Sequence, residues 1–181
     1  MKLYHVTTDF HHNGIIQPRI PLYRNQEEDN TIPRFCVATS IQGCLTAIPN
    51  GSNNLANLLE ETDNQLLVME IDTDTLQIPP HAIYTDTTLY QNNLVQDAFV
   101  TGEHWITTSF VVPASAMFLI TINTWEEVAE SIIPYSITLL ADDEYDGDYE
   151  EAYFDVCGRY CPSLICIESV QYDSQPKQPV Y

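Results

Sequence analysis

An α+β fold is what this sequence predicts, and three observations predict it. Roughly six short runs, rich in β-branched and aromatic residues, read as strands. Few segments read as helices, and those are short. Strand and helix signals follow one another in mixed order, without the regular alternation of a doubly wound sheet.

The strand signals come first. Residues 2–7, KLYHVT, alternate and carry Tyr4 and Val6. Asn13-Gly14 is a turn signal, and the two prolines of residues 15–22 keep that stretch extended or looped. Residues 35–38 read as a second strand after Pro33. Ser40 is placed to cap a short helix over residues 41–48, in which Gly43 costs about 1 kcal/mol relative to Ala. Residues 55–59 read as a helical turn. Residues 65–71, QLLVMEI, are apolar at nearly every position, which predicts a strand buried on both faces.

Beyond it, residues 92–99 read as a short helix or a loop, and residues 104–107 and 111–112 as extended. MFLITI, residues 117–122, is another central strand. A Glu-rich helix over residues 125–131 and an extended run over residues 136–140 follow. SLICIESV, residues 163–170, is the last strand, and the proline-bearing tail is expected to fray.

Charge narrows the function classes. Six Lys and Arg stand against 26 Asp and Glu, a formal charge of −20. Such a surface repels phosphate backbones, so direct nucleic-acid binding is not expected, whereas a basic partner is attracted. The acid is concentrated late. Residues 1–125 carry a net of −9, and residues 126–181 a net of −11. The expected organisation is therefore a core over residues 1–125 with an acidic extension, residues 126–181, packed on the same domain. No run approaches the roughly twenty apolar residues of a membrane helix, and the N-terminal segment lacks a signal-peptide core, so a cytoplasmic location is expected. Cys36, Cys44, Cys157, Cys161 and Cys166 are an odd set without zinc-site spacing, and reduced thiols are expected.

Three segments carry candidate chemistry: His5 in LYHVT, the strand–Thr–Ser–helix run FCVATSIQGCL, and Glu103 at the head of a strand. Taken singly, His5 also reads as a structural strand histidine and Glu103 as a strand-end carboxylate. His11-His12 reads as a solvated loop pair, and His104-Trp105 as packing.

Together and in this order, the three segments resemble the motifs of ADP-ribosyltransferases of the diphtheria-toxin and poly-ADP-ribose-polymerase type, over about residues 3–122. The resemblance implies a mixed, mainly antiparallel split β-sheet and an NAD-dependent mono-ADP-ribosyltransferase acting on a protein or nucleic-acid target. It implies Glu103 as the catalytic carboxylate beside the oxocarbenium-like ribose. His5, Phe35, Thr39 and Ser40 would bind the cofactor, with Arg19 or Arg34 meeting the pyrophosphate. Phe35 and Cys36 stand where the family usually has a tyrosine.

A second expectation rests on ADDEYDGDYEEAYFDV, in which eight acids surround four aromatics. Asp142, Asp143, Glu144, Tyr145, Asp146, Asp148, Tyr149, Glu150, Glu151 and Tyr153 would form a partner-binding surface. Tyrosines spaced by four could line one helix face, and an acidic exposed loop is the plainer alternative. The protein would then be an inactive inhibitor of a basic, nucleic-acid-handling enzyme, of the phage anti-defence or anti-CRISPR kind. No metal is expected in either reading.

Overall fold

The computed structural model describes residues 1–21, 29–46, 61–122, 145–148 and 167–171. In chain order these form β1 (Lys2–Thr7), β2 (Ile15–Ile16), β3 (Phe35–Ala38), α1 (Ile41–Thr46), β4 (Gln65–Asp72), β5 (Ile83–Tyr84), α2 (Asp86–Gln91), α3 (Ala98–Thr101), β6 (Glu103–Ile106), β7 (Phe110–Val111), β8 (Met117–Ile122) and β9 (Ile167–Gln171). The fold is α+β with a mainly antiparallel sheet and few short helices. Seven strands pair in the order β5-β6-β3-β1-β4-β8-β9, and β2 with β7 makes a separate ribbon. β9 pairs with β8, so the acidic end of the chain supplies an edge strand.

The sheet has two covered faces, and alternation along each strand sorts the side chains between them. Leu3, Val37, Leu67, Met69, Ile71 and Ile106 fill the first face, where Ile16, Phe110 and Val112 from around the small ribbon cover them. Trp105 anchors the second face, packed with Leu89 and Ala98 from the helices. β4 lies between β1 and β8, and its residues from Leu66 to Met69 are all buried. That is why its sequence is apolar at successive positions rather than alternating.

β1 and β3 meet at one partner pair, Tyr4↔Ala38. The halves of the sheet are joined narrowly there, and the next link is made by a side chain. His5 Nδ1 lies 2.8 Å from the Cys36 carbonyl oxygen. The imidazole thus spans strands that the ladder does not hold at that point.

α1 starts as expected, with Ser40 Oγ accepting from the Gly43 N–H at 2.9 Å. α2 was not expected. Thr85 caps it by accepting from the Thr88 N–H at 3.2 Å, and Asp86 supplies the favourable first-turn acid. The stretch expected as one helix or loop, residues 92–99, is a connection leading into the single turn of α3. Expectations for residues 55–59, 125–131, 136–140, 163–166 and the tail lie outside the described residues. Among the described residues, no helix is long and apolar enough to cross a membrane.

Candidate functional site

Strand register decides which candidate residues meet. Tyr4 pairs with Ala38, and Ala38 pairs with Glu103. Residues opposite one another in a ladder share a face, so Tyr4, Ala38 and Glu103 lie on the second face. His5, one residue on from Tyr4, lies on the first. The expectation that His5 and Glu103 converge on one cofactor is therefore not met by this register.

Glu103 belongs to a structural cluster. It is half-buried and accepts from Trp105 Nε1 at 2.6 Å. The Trp105 ring in turn lies under Arg34, whose guanidinium carbon stands 3.9 Å from the ring centroid. Arg34 is buried, and its Nη1 donates to the carbonyls of Asp29 at 2.8 Å and Ile32 at 3.2 Å. Arg34 is committed to this packing and does not reach the cleft described below, so it is removed from the pyrophosphate-binding set. Thr39 and Ser40 also serve the backbone: the Thr39 N–H donates to the Gly102 carbonyl at 3.0 Å, and Ser40 caps α1.

The first face carries a cleft of about 380 Å³ lined by Asp9, His12, Ile15, Gln17, Arg19 and Phe35, among others. Two of the expected cofactor residues, Arg19 and Phe35, are on its wall. His5 stands behind Phe35, with ring centroids 4.2 Å apart and planes tilted by 38°. Gly14 makes the shape possible. Its φ of +78° suits glycine, and its carbonyl accepts from the Val112 N–H at 2.9 Å, which lays β2 beside β7.

The two histidines near the cleft have assigned proton positions. A carbonyl can only accept, so His5 Nδ1 carries the proton and Nε2 keeps its lone pair. The Gly14 N–H donates to His12 Nδ1 at 3.0 Å, so the neutral His12 is protonated at Nε2. Burial pushes the His5 imidazole down from an ordinary 6.5 to about 4, only partly opposed by the Cys36 carbonyl, and His12 and Arg19 push the same way. His5 is thus neutral when folded, while the unfolded chain takes up its proton below about 6.5. Stability is expected to fall as pH drops from about 6.5 towards 4, and His5→Phe should flatten that dependence. The ring is half-buried rather than sealed, so the effect is modest. Urea midpoints of both proteins across this range test it; identical slopes would contradict the neutral, half-buried imidazole.

Asp9, His12 and Gln17 were missed as cleft residues in the sequence. The available signal was the Asn13-Gly14 turn, after which Ile15 and Ile16 pair with β7 and Arg19 bridges to Arg34 just ahead of Phe35. His11-His12 does not behave as a solvated pair: His11 is exposed, whereas His12 is half-buried at the cleft. His104 is buried, its Nδ1 3.0 Å from the Gly102 carbonyl oxygen, as packing predicts. Cys44 donates to the Tyr4 carbonyl at 3.0 Å, and burial pushes its thiol up to about 12, so it is a poor nucleophile.

Of the acidic segment, Tyr145 to Asp148 are described, and they form a turn. The Asp148 N–H donates to the Tyr145 carbonyl at 2.8 Å, with φ of +49° at Asp146 and +85° at Gly147. Left-handed backbone at two successive residues is not helical, so the four residues from Tyr145 to Asp148 form a turn rather than a helical turn. Asp142, Asp143, Glu144, Tyr149, Glu150, Glu151 and Tyr153 lie outside the described residues.

These features define an α+β protein with a two-faced antiparallel sheet and a polar–aromatic cleft on one face. No protein-family model, curated protein or solved structure matches the chain.

Proposed function

We propose that this chain is an ADP-ribosyltransferase-like protein that takes NAD into the Arg19–Phe35 cleft. The observation that supports it is the meeting of Arg19, Phe35 and His5, from three separate segments, at one place. Phe35 offers a ring to the nicotinamide and Arg19 a guanidinium to a phosphate, while His5 holds Phe35 in position. A cleft of about 380 Å³ is at the small end for ligand sites and suits one mononucleotide half better than a whole dinucleotide.

Transfer would break the bond between the ribose carbon and the nicotinamide nitrogen, nicotinamide leaving with the bonding pair, while a nucleophile of the target, or water, bonds to that carbon and gives up its proton. A carboxylate would meet the positive charge that develops on the carbon. Asp9, on the cleft wall, takes that role in this reading in place of Glu103. We expect Arg19→Ala and Phe35→Ala each to weaken NAD binding about tenfold in calorimetry, with Glu103→Gln unchanged. A wild type that takes up no NAD at millimolar concentration ends the reading. Labelled NAD tests the chemistry separately: transfer or hydrolysis should vanish in Asp9→Asn.

A second reading is favoured by the charge map. Between Arg34 and Arg159 the chain holds 20 Asp and Glu and no Lys or Arg. A scaffold of this kind, without Glu103 at its cleft, suits an inhibitor of the anti-CRISPR type that binds a basic, nucleic-acid-handling enzyme. Pull-down of such an enzyme at low and high salt tests it. Capture insensitive to salt and to neutralisation of residues 142–151 would remove its basis.

A further inference from the structure

We propose that the exposed aromatic patch on α2 and α3 is a docking surface for an arginine-bearing basic polypeptide segment. The inference takes the sign of the partner's charge from the second reading, and places the contact outside the acidic segment. Tyr90 is 50 % exposed, Phe99 53 % and Val100 64 %. The two rings touch, with centroids 4.9 Å apart and planes tilted by 55°. Each ring is adjacent in sequence to a fully buried residue, Leu89 beneath Tyr90 and Ala98 beneath Phe99. The backbone under the patch is therefore pinned, and the rings are held outward on a firm base.

The surroundings name the occupant. Asp86 is four residues before Tyr90 on α2, and Asp97 is three before Val100 at the start of α3, so each carboxylate neighbours the patch. Residues 61–122 contain eight Asp and Glu and no Lys or Arg, so this part of the chain brings no cation of its own to the patch. A guanidinium fits both features at once. Its flat face stacks on Tyr90 or Phe99, and its N–H edge reaches a carboxylate. An ammonium is a compact point charge and gains less from the ring faces. A second copy of this chain would set Asp86 and Asp97 against themselves, and phosphate-bearing partners would be repelled.

The test uses the full chain and a fluorescent peptide of alternating arginine and leucine, with lysine–leucine and glutamate–leucine peptides as controls. Anisotropy titrations are run at low and high salt. The wild type should prefer the arginine peptide over the lysine peptide, with binding weakened by salt. Tyr90→Ala/Phe99→Ala should weaken arginine-peptide binding about tenfold. Tyr90→Leu/Phe99→Leu keeps apolar bulk without the ring faces and should lose the arginine preference; circular dichroism verifies that both variants are folded. Absence of arginine-peptide binding, or equal binding of the lysine peptide, overturns the proposal. Binding that survives both double variants but disappears when residues 142–151 are neutralised overturns the patch and leaves the second reading standing. A dimer in sedimentation that Tyr90→Ala/Phe99→Ala disperses assigns the patch to a second copy and likewise overturns the proposal.

Discussion

Trp105→Ala is expected to destabilise the protein by about 4 kcal/mol. The indole is fully buried at the centre of the second face, opposite Cys36 in the ladder and against Tyr84. Removing it opens a cavity among Leu89, Ala98 and the strand, which native packing fills only in part. Two polar groups lose a partner at the same time. Arg34 loses the ring beneath its buried guanidinium, and Glu103 loses the indole N–H. A buried charge left with fewer contacts adds to the cavity cost. Against a total stability of about 5–15 kcal/mol, this is a large share, and the melting temperature should drop by roughly 10 °C. Trp105→Phe keeps a ring under Arg34 and should recover much of the loss. Thermal and urea melts check both, and an unchanged midpoint for Trp105→Ala would contradict the cluster on the second face.

Gly43→Ala should also destabilise, by about 2 kcal/mol, although helix propensity alone favours alanine by about 1 kcal/mol. The reason is close approach between helices. A Cβ at Gly43 would stand 2.0 Å from the Thr101 carbonyl oxygen and 3.2 Å from the Ala38 Cβ. Thr101 cannot easily yield. It ends α3, and the next residue, Gly102, has φ of +67° and a carbonyl bonded to the Thr39 N–H. α1 would have to lift from the sheet, loosening Cys44 from the Tyr4 carbonyl. The sequence-based expectation that Gly43 only weakens α1 is thus corrected: glycine is what lets α1 lie against the end of α3. A melt in which Gly43→Ala is more stable than the wild type would contradict that packing.

Arg19 and Phe35 were expected at a cofactor only through the resemblance to ADP-ribosyltransferases, and the fold places both on the wall of one cleft. α2 is not legible in the sequence because Thr85, Thr87 and Thr88 are poor helix formers, and the cap that starts the helix is a weak signal among so many threonines. The two-residue strands β2, β5 and β7 are too short to show a period.

By itself the sequence determined the long strands, since KLYHVT, FCVA, QLLVMEI and MFLITI carry β-forming residues whose pattern reflects burial. It also determined the acidity and the capped start of α1. Only the tertiary structure decided which face each candidate residue occupies. Alternation orders side chains within one strand, but the face shared by two strands depends on their register, and a shift of one residue reverses it. The pairs Tyr4↔Ala38 and Ala38↔Glu103 therefore set His5 and Glu103 on opposite sides of the sheet, and the same folding gathered Asp9, His12 and Arg19 around Phe35.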